Sequence, residues 1–304
     1  MQRSVMISEQ SQSPGIAQFP ARVQADQSAH ASRQVVIHSA QVVFMLAWRE
    51  WVRFFRQPFR VVAALVQPIL FWILFGTGMH SSFRGDSQSA DFMTYFMPGT
   101  VAMILLFTSI FSTITIIEDR REGFLQSVLV AATPRWAIAF GKTIGSAAIA
   151  WVQALVYVLI AIGLGYLNFG VDTFLLAGFM ALVAIAVSSL GVCCAWPMNS
   201  TQEFHSIMNL VLMPMWLLSG AFFPIPVIGY GDPYGQVALH WVMRCNPMTY
   251  AVSGFRQLMF HVDVQDRYWV PSLMTSVWVT IAFAVTSTAA AVWLVNRKQR
   301  GELS

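Results

Sequence analysis

Five ionisable side chains stand in a row at Glu118, Asp119, Arg120, Arg121 and Glu122, in a chain of which only 11% is charged. Apolar stretches of bilayer length flank the row on both sides. A bilayer core holds no water to solvate such groups, so the row must lie at a membrane face. There it is either an ordinary charged loop between spans or a handle for a soluble partner. The residues that follow read as a short amphipathic helix. Leu125, Val128 and Leu129 fall at i, i+3 and i+4, with Gln126 and Ser127 between them. Thr133-Pro134 ends that helix, because proline lacks an N–H and disfavours helix in the residue before it.

Covalent chemistry finds little material elsewhere. Gly141-Lys142-Thr143 is the nearest approach to a phosphate-cradling loop, and it lacks the upstream glycine and strand. The chain is therefore expected not to hydrolyse ATP itself. Ser219 with His205 or His240 offers the best nucleophile and base, but no third group stands ready to orient the base. Ser219 is expected to bond locally instead. Cys193 and Cys194 are adjacent and Cys245 is remote, so all three read as free thiols. The six His do not cluster at metal-ligand spacing. No metal and no cofactor bound by this chain is expected.

The elements that hold these residues are membrane helices. The chain is 56% hydrophobic with a mean hydropathy of +0.59, whereas a soluble domain is about 45–50% apolar and about 25% charged. The fold class is all-α integral membrane. A helix of about 20 residues, rising about 1.5 Å per residue, crosses a core about 30 Å thick. Six such spans are expected: Val61 to Met79, Phe92 to Ile117, Ile144 to Tyr166, Thr173 to Trp196, one from Phe204 carrying Pro214, and Val270 to Val295. They make a permease domain over 61–296. Gly141, Gly145 and Ser146 favour close helix packing at the start of the third span. No Asp, Glu, Lys or Arg falls well inside a span, which counts against the alternative of a secondary transporter or channel.

Two segments flank the spans. Residues 1–34 are rich in Ser, Gln and Ala and read as a disordered cytoplasmic tail; 297–304 form a second, basic tail. Residues 35–60 read as an interfacial amphipathic helix. Arg49, Arg53, Arg56 and Arg60 recur at i, i+4, i+7 and i+11, toward water, with Trp48, Trp51, Phe54 and Phe55 among the headgroups. A membrane span follows directly, so these arginines do not mark a nucleic-acid site. Residues 217–258 are too broken by Gly and Pro for a span and too aromatic for a plain loop. They read as an outer re-entrant element of two short half-helices.

Two motifs resemble one family. Glu118-x-x-x-Glu122-Gly123-x-Leu125, then Thr133-Pro134, then Gly141-Lys142, is similar to the cytoplasmic loop of ABC-2 type transporter permeases. Phe124 and Gln126 depart from that pattern, which has a small polar and often an acidic residue there. Leu218-Ser219-Gly220, Phe223-Pro224, Asn246-Pro247, Tyr250 and Arg256 also stand in the family's order, with Glu203 and Pro214 upstream. The resemblance runs from about residue 41 to 295. It implies a membrane subunit of an ATP-driven exporter. The coupling loop 118–142 would then meet a separate ABC ATP-binding subunit, present in two copies and carrying ATP and Mg. Glu118, Arg121, Glu122, Gly123, Leu125, Pro134 and Lys142 are the residues implied there. Ser219, Gly220, Phe223, Pro224, Asn246, Pro247, Tyr250 and Arg256 form the outer re-entrant motif. A homodimer of this chain among membrane lipid is implied, and an amphipathic substrate: a drug, lipid or lipid-linked glycan.

Charge supports one orientation. With both termini in the cytoplasm, only Arg84, Arg244, Arg256 and Arg267 of the 18 Lys and Arg residues fall outside. The positive-inside rule favours that topology, in a plasma (bacterial inner) membrane.

Overall fold

The computed structural model describes residues 39–78, 92–130, 134–229, 232–260 and 269–297. The tail expected over 1–34, the loop from His80 to Asp91 and residues 298–304 lie outside the described residues. The first helix, α1, covers 39–55. It stops before Pro58 rather than running on to Arg60, because Pro58 has no N–H to continue it and instead opens α2, Pro58–Gly78. Arg60 therefore belongs to the first span and not to the surface helix.

The chain continues through α3 (Phe92–Ser112), α4 (Thr115–Arg121), α5 (Phe124–Val130), α6 (Arg135–Gly163), α7 (Val171–Ala195) and α8 (Thr201–Trp216). A π-helical turn, Leu217–Ala221, then leads to α9 (Tyr234–Cys245), α10 (Pro247–Phe260) and α11 (Leu273–Asn296). Six helical segments are long and apolar enough to cross a membrane: α2, α3 with α4, α6, α7, α8 with the π turn, and α11. This is an all-α integral membrane protein.

The second span is the axis of the molecule. Of its most apolar window 89% is buried, against 17% for α2 and 22% for α11. α3 packs against α2, α6 and α7, while α7 joins α6 and α11, and α10 lies across α3, α7 and α11. A break interrupts this axis where no proline stands. The Thr113 hydroxyl donates to the Ile110 carbonyl at 2.6 Å, and the Thr113 N–H donates to the same carbonyl at 2.9 Å. Such local bonding competes with the helical ladder. Gly191 of α7 makes room for the break, since a Cβ there would meet Thr113 Oγ1 at 2.9 Å.

α2 and α8 are left with open apolar faces. Val66, Leu70, Ile73 and Leu74 on the first, and Ile207, Leu210 and Val211 on the second, are all exposed.

Candidate functional site

α4 and α5 form a hairpin at one end of the axis. Gly123 turns it, with φ at +76°, a left-handed conformation that strains any residue with a Cβ. Leu125 faces inward and is buried, while Arg121, Glu122, Gln126 and Ser127 are exposed. Pro134 sits at the N-cap of α6 with φ −65° and ψ 131°.

Asp119 anchors the hairpin. Its side chain is fully buried, a cost that only full pairing offsets. Arg49 forks onto it, Nη1 to Oδ2 at 2.8 Å and Nη2 to Oδ1 at 2.7 Å. Arg53 Nη1 donates to Oδ1 at 3.0 Å, and Lys142 Nζ donates to Oδ2. Four donors saturate the four lone-pair positions of the carboxylate. Lys142 is equally enclosed. Besides Asp119 it reaches Glu50 Oε1 at 2.5 Å and Thr115 Oγ1 at 3.3 Å, so all three ammonium protons are used. The side chains of Lys142 and Glu50 are each 2% exposed. Arg53 also pairs with Glu118 at 3.0 Å and Glu122 at 3.3 Å. The hydrogen bond to Asp119 is the main cause that holds the Arg49 guanidinium above its usual pKa, so it stays charged throughout the accessible pH range.

Glycine allows this cluster to close. A Cβ on Gly141 would meet the Cβ of Leu46 at 2.8 Å, and one on Gly145 the Cβ of Glu50 at 2.9 Å. The two glycines, four apart, bring α1 directly onto α6. The arginine face expected toward water is therefore turned inward at Arg49 and Arg53, and of the four only Arg56 is exposed. Phe124, which departs from the family's small residue, has a role here: the Arg49 guanidinium lies 3.8 Å from its ring centroid. The other flank of the hairpin is tied by Arg120, which donates to the carbonyls of Trp196 at 2.6 Å and Met198 at 3.1 Å. Arg121 Nε reaches the Asn199 carbonyl at 3.3 Å.

A family model described as ABC-2 type transporter matches residues 41–260. The chain belongs to this family. Its members are membrane subunits rather than the ATPase, so the protein is a transmembrane permease of an ABC transporter that works with an ABC ATP-binding partner. It is 24% identical to a putative transport permease, ycf38, of Cyanophora paradoxa, over 73% of this chain and 75% of that one. It is 22% identical to the probable multidrug ABC transporter permease YbhR of Escherichia coli (strain K12), over 70% and 55%. It is 19% identical to the linearmycin resistance permease protein LnrN of Bacillus subtilis (strain 168), over 92% and 68%.

For this ABC-2 permease, two residues inferred from the loop motif lie beyond direct reach of a partner. Lys142 and Leu125 are buried, so neither offers a surface for direct contact. Asp119 and Glu50, which the motif does not single out, are the centre of the site. A sequence signal existed for Glu50 alone, which lies between Leu46 and Phe54 at four-residue steps; Asp119 had none, because Ser112 and Thr115, seven and four positions before it, are polar.

The second motif gathers at the opposite end of α3. Pro214 and the π turn release carbonyls of α8, and the motif side chains collect them. Asn246 Nδ2 donates to Met215 O at 2.6 Å, and Ser219 Oγ to Trp216 O at 2.5 Å. Gly220, with φ at +77°, offers its carbonyl to Arg256 Nη2 at 3.0 Å and Tyr95 Oη at 3.2 Å. Pro247 starts α10, and Tyr250 Oη donates to Arg244 O at 3.0 Å. Phe223 is exposed beside Pro224, while its neighbour Phe222 packs among Phe75, Phe96 and Trp216. His240 bonds the Pro226 carbonyl at 2.7 Å, and Ser219 is spent on Trp216, so the two form no nucleophile and base.

A cavity of about 400 Å³ opens on the side of the bundle between α2, α3 and α8. Its walls include Phe71, Met103, Phe107, Phe111 and Met213, with Arg60 among the polar groups.

Proposed function

We propose that this chain is the permease subunit of an ABC exporter. It would move an amphipathic substrate, such as a drug, lipid or lipid-linked glycan, out of the cytoplasm or the inner leaflet. Two copies of a separate ABC ATP-binding subunit, carrying ATP and Mg, would supply the energy. The hairpin end faces the cytoplasm of the plasma (bacterial inner) membrane, with both termini on that side, as the distribution of Lys and Arg favours.

The single observation that carries this reading is the mounting of the hairpin. Its polar outer face, with Arg121, Glu122, Gln126 and Ser127, rests on an anchor whose donors and acceptors are saturated. Force applied to α5 passes through Asp119 to α1 and α6, and through α4 into α3. The same α3 carries Phe107, Phe111 and Ser112 into the lateral cavity. A push on the hairpin therefore reaches the cavity wall through covalently continuous backbone. Two copies of the chain would meet through the open faces of α2 and α8 and enclose the cavities between them. The multidrug and resistance names of two relatives favour a drug-like cargo.

The test is co-purification from native membranes followed by transport in vesicles. A stoichiometric soluble ATPase beside the permease, with ATP-dependent accumulation of an amphipathic dye, is the expected result. Active vesicles with no ATPase present would overturn it in favour of a secondary transporter.

A further inference from the structure

Among the described residues, Arg60 is the only charged one in the wall of the lateral cavity, and no acidic residue lines it. It is turned inward. Its Nη2 donates to the Phe111 carbonyl of α3 at 3.0 Å, and its guanidinium lies 5.7 Å from the Phe54 ring. Among the described residues it makes no ion pair. The carboxylates whose charge acts on it, Glu118 and Glu50, are themselves paired with Arg53 and Lys142. Two of its five N–H donors are engaged, by Phe111 and, at 3.5 Å, by Gln57.

The rest of the cavity continues away from this charge along one helical face. Arg60, Ala64, Gln67 and Phe71 recur at i, i+4, i+7 and i+11 of α2. Eleven residues of helix span about 16 Å, about half of the hydrocarbon core, whose full thickness is about 30 Å. The cavity is thus one leaflet deep, with a cation at the headgroup level and aromatic and Met side chains below.

We propose that this cavity selects amphiphiles with an anionic head, and that Arg60 reads the charge. Resting on the exporter reading above, this names the substrate class of the same cavity. The guanidinium binds a phosphate or sulfonate through its free donors, a charge-assisted contact stronger than any neutral head makes. Phe71, Met103 and Phe107 take the chain. A cationic head meets a like charge that no ion pair covers and is rejected.

The experiment uses the full chain in nanodiscs of zwitterionic lipid. Binding is measured for fluorescent probes of one chain length: lysophosphatidylglycerol, an alkyl sulfonate, lysophosphatidylcholine and an alkyl trimethylammonium. One charge-assisted contact predicts that the anions bind about tenfold more tightly than the zwitterion. Arg60→Gln should remove that preference and leave chain-driven binding in place, and Arg60→Lys should restore part of it. Phe71→Ala should weaken all four probes alike, which separates the chain wall from the head. Preference for both anions assigns the site to anionic amphiphiles in general; preference for the phospholipid alone assigns it to membrane lipid. Undiminished preference in Arg60→Gln, or no preference in the unaltered protein, overturns the inference. Failure of every probe to bind overturns it too, while capture of the ATPase would leave the exporter reading standing.

Discussion

At the hairpin end of α3, a buried carboxylate gathers three cations, and every bonding position on Asp119 and Lys142 is taken. At the opposite end, Arg256 has no carboxylate partner among the described residues. It rests 4.3 Å from the Tyr95 ring centroid and gives one N–H to the Gly220 carbonyl, while its Nε is buried without a partner. The first end is ionic and saturated, the second is aromatic and carbonyl-bonded with capacity to spare. A buried ion network resists rearrangement, because breaking one pair exposes the rest to an apolar surround. Aromatic faces slide and re-pair at lower cost. Under the exporter reading proposed above, the contrast would assign rigidity to the end that receives force and adaptability to the end that opens.

The contrast can be broken most severely at Lys142. Lys142→Met leaves Glu50 facing Asp119 without its ammonium and should cost about 3–5 kcal/mol, the usual loss for one partner of a buried pair. Adding Glu50→Gln should recover part of that loss. Thermal unfolding of the full chain in detergent measures both, and additive losses would show that the pair is not coupled.

Arg256→Met should cost less, about 1.5–3 kcal/mol, because it removes one hydrogen bond to a charged donor. The same unfolding assay checks this, and transport should fall while ATPase capture stays unchanged. An equal loss at both ends would erase the proposed division between a rigid and an adaptable end.

Gly145→Val tests how the ionic end closes. The new side chain meets Glu50 and Ala47, and overpacking of this kind costs about 1–3 kcal/mol. Gly163→Ala, where a Cβ meets nothing within 4 Å, is the control and should be nearly silent. Limited proteolysis of α1 should accelerate in the first variant and not in the second.

Glu122→Lys should have the smallest effect on stability, within about 0.5 kcal/mol, because exposed pairs contribute little. Its effect on function should be large. Co-purification of the ATPase and its stimulated turnover should both drop while membrane insertion is unchanged.

The spans and the outer motif were legible because their signals are compositional. Long apolar runs mark α2, α3, α6, α7 and α11, Gly220 marks the place where the backbone leaves helical geometry, and Pro247 marks the start of α10. The anchor was harder to see. Glu118 to Glu122 read as one solvated row, yet Asp119 points into the bundle while Arg121 and Glu122 point out. Burial separates adjacent charges by helical phase, and the phase is set by what α1 brings to the site. The arginine face of α1 was assigned to water for the same reason: its acidic partners lie about 70 positions further along the chain. The break at Thr113 carried no signal, since only tertiary packing against Gly191 makes room for it.

The most direct test places single cysteines at the two ends in a background where Cys193, Cys194 and Cys245 are replaced. Gln126→Cys marks the exposed face of the hairpin, and Phe223→Cys marks the opposite end. Native membranes carrying each variant are treated with a short bifunctional thiol–amine reagent, and the cross-linked products are identified. The account predicts a product between the Gln126→Cys variant and a soluble ATPase, and no such product from the Phe223→Cys variant. An ATPase captured at Phe223, or captured at neither position in a complex that still transports, would contradict the assignment of the hairpin as the coupling site.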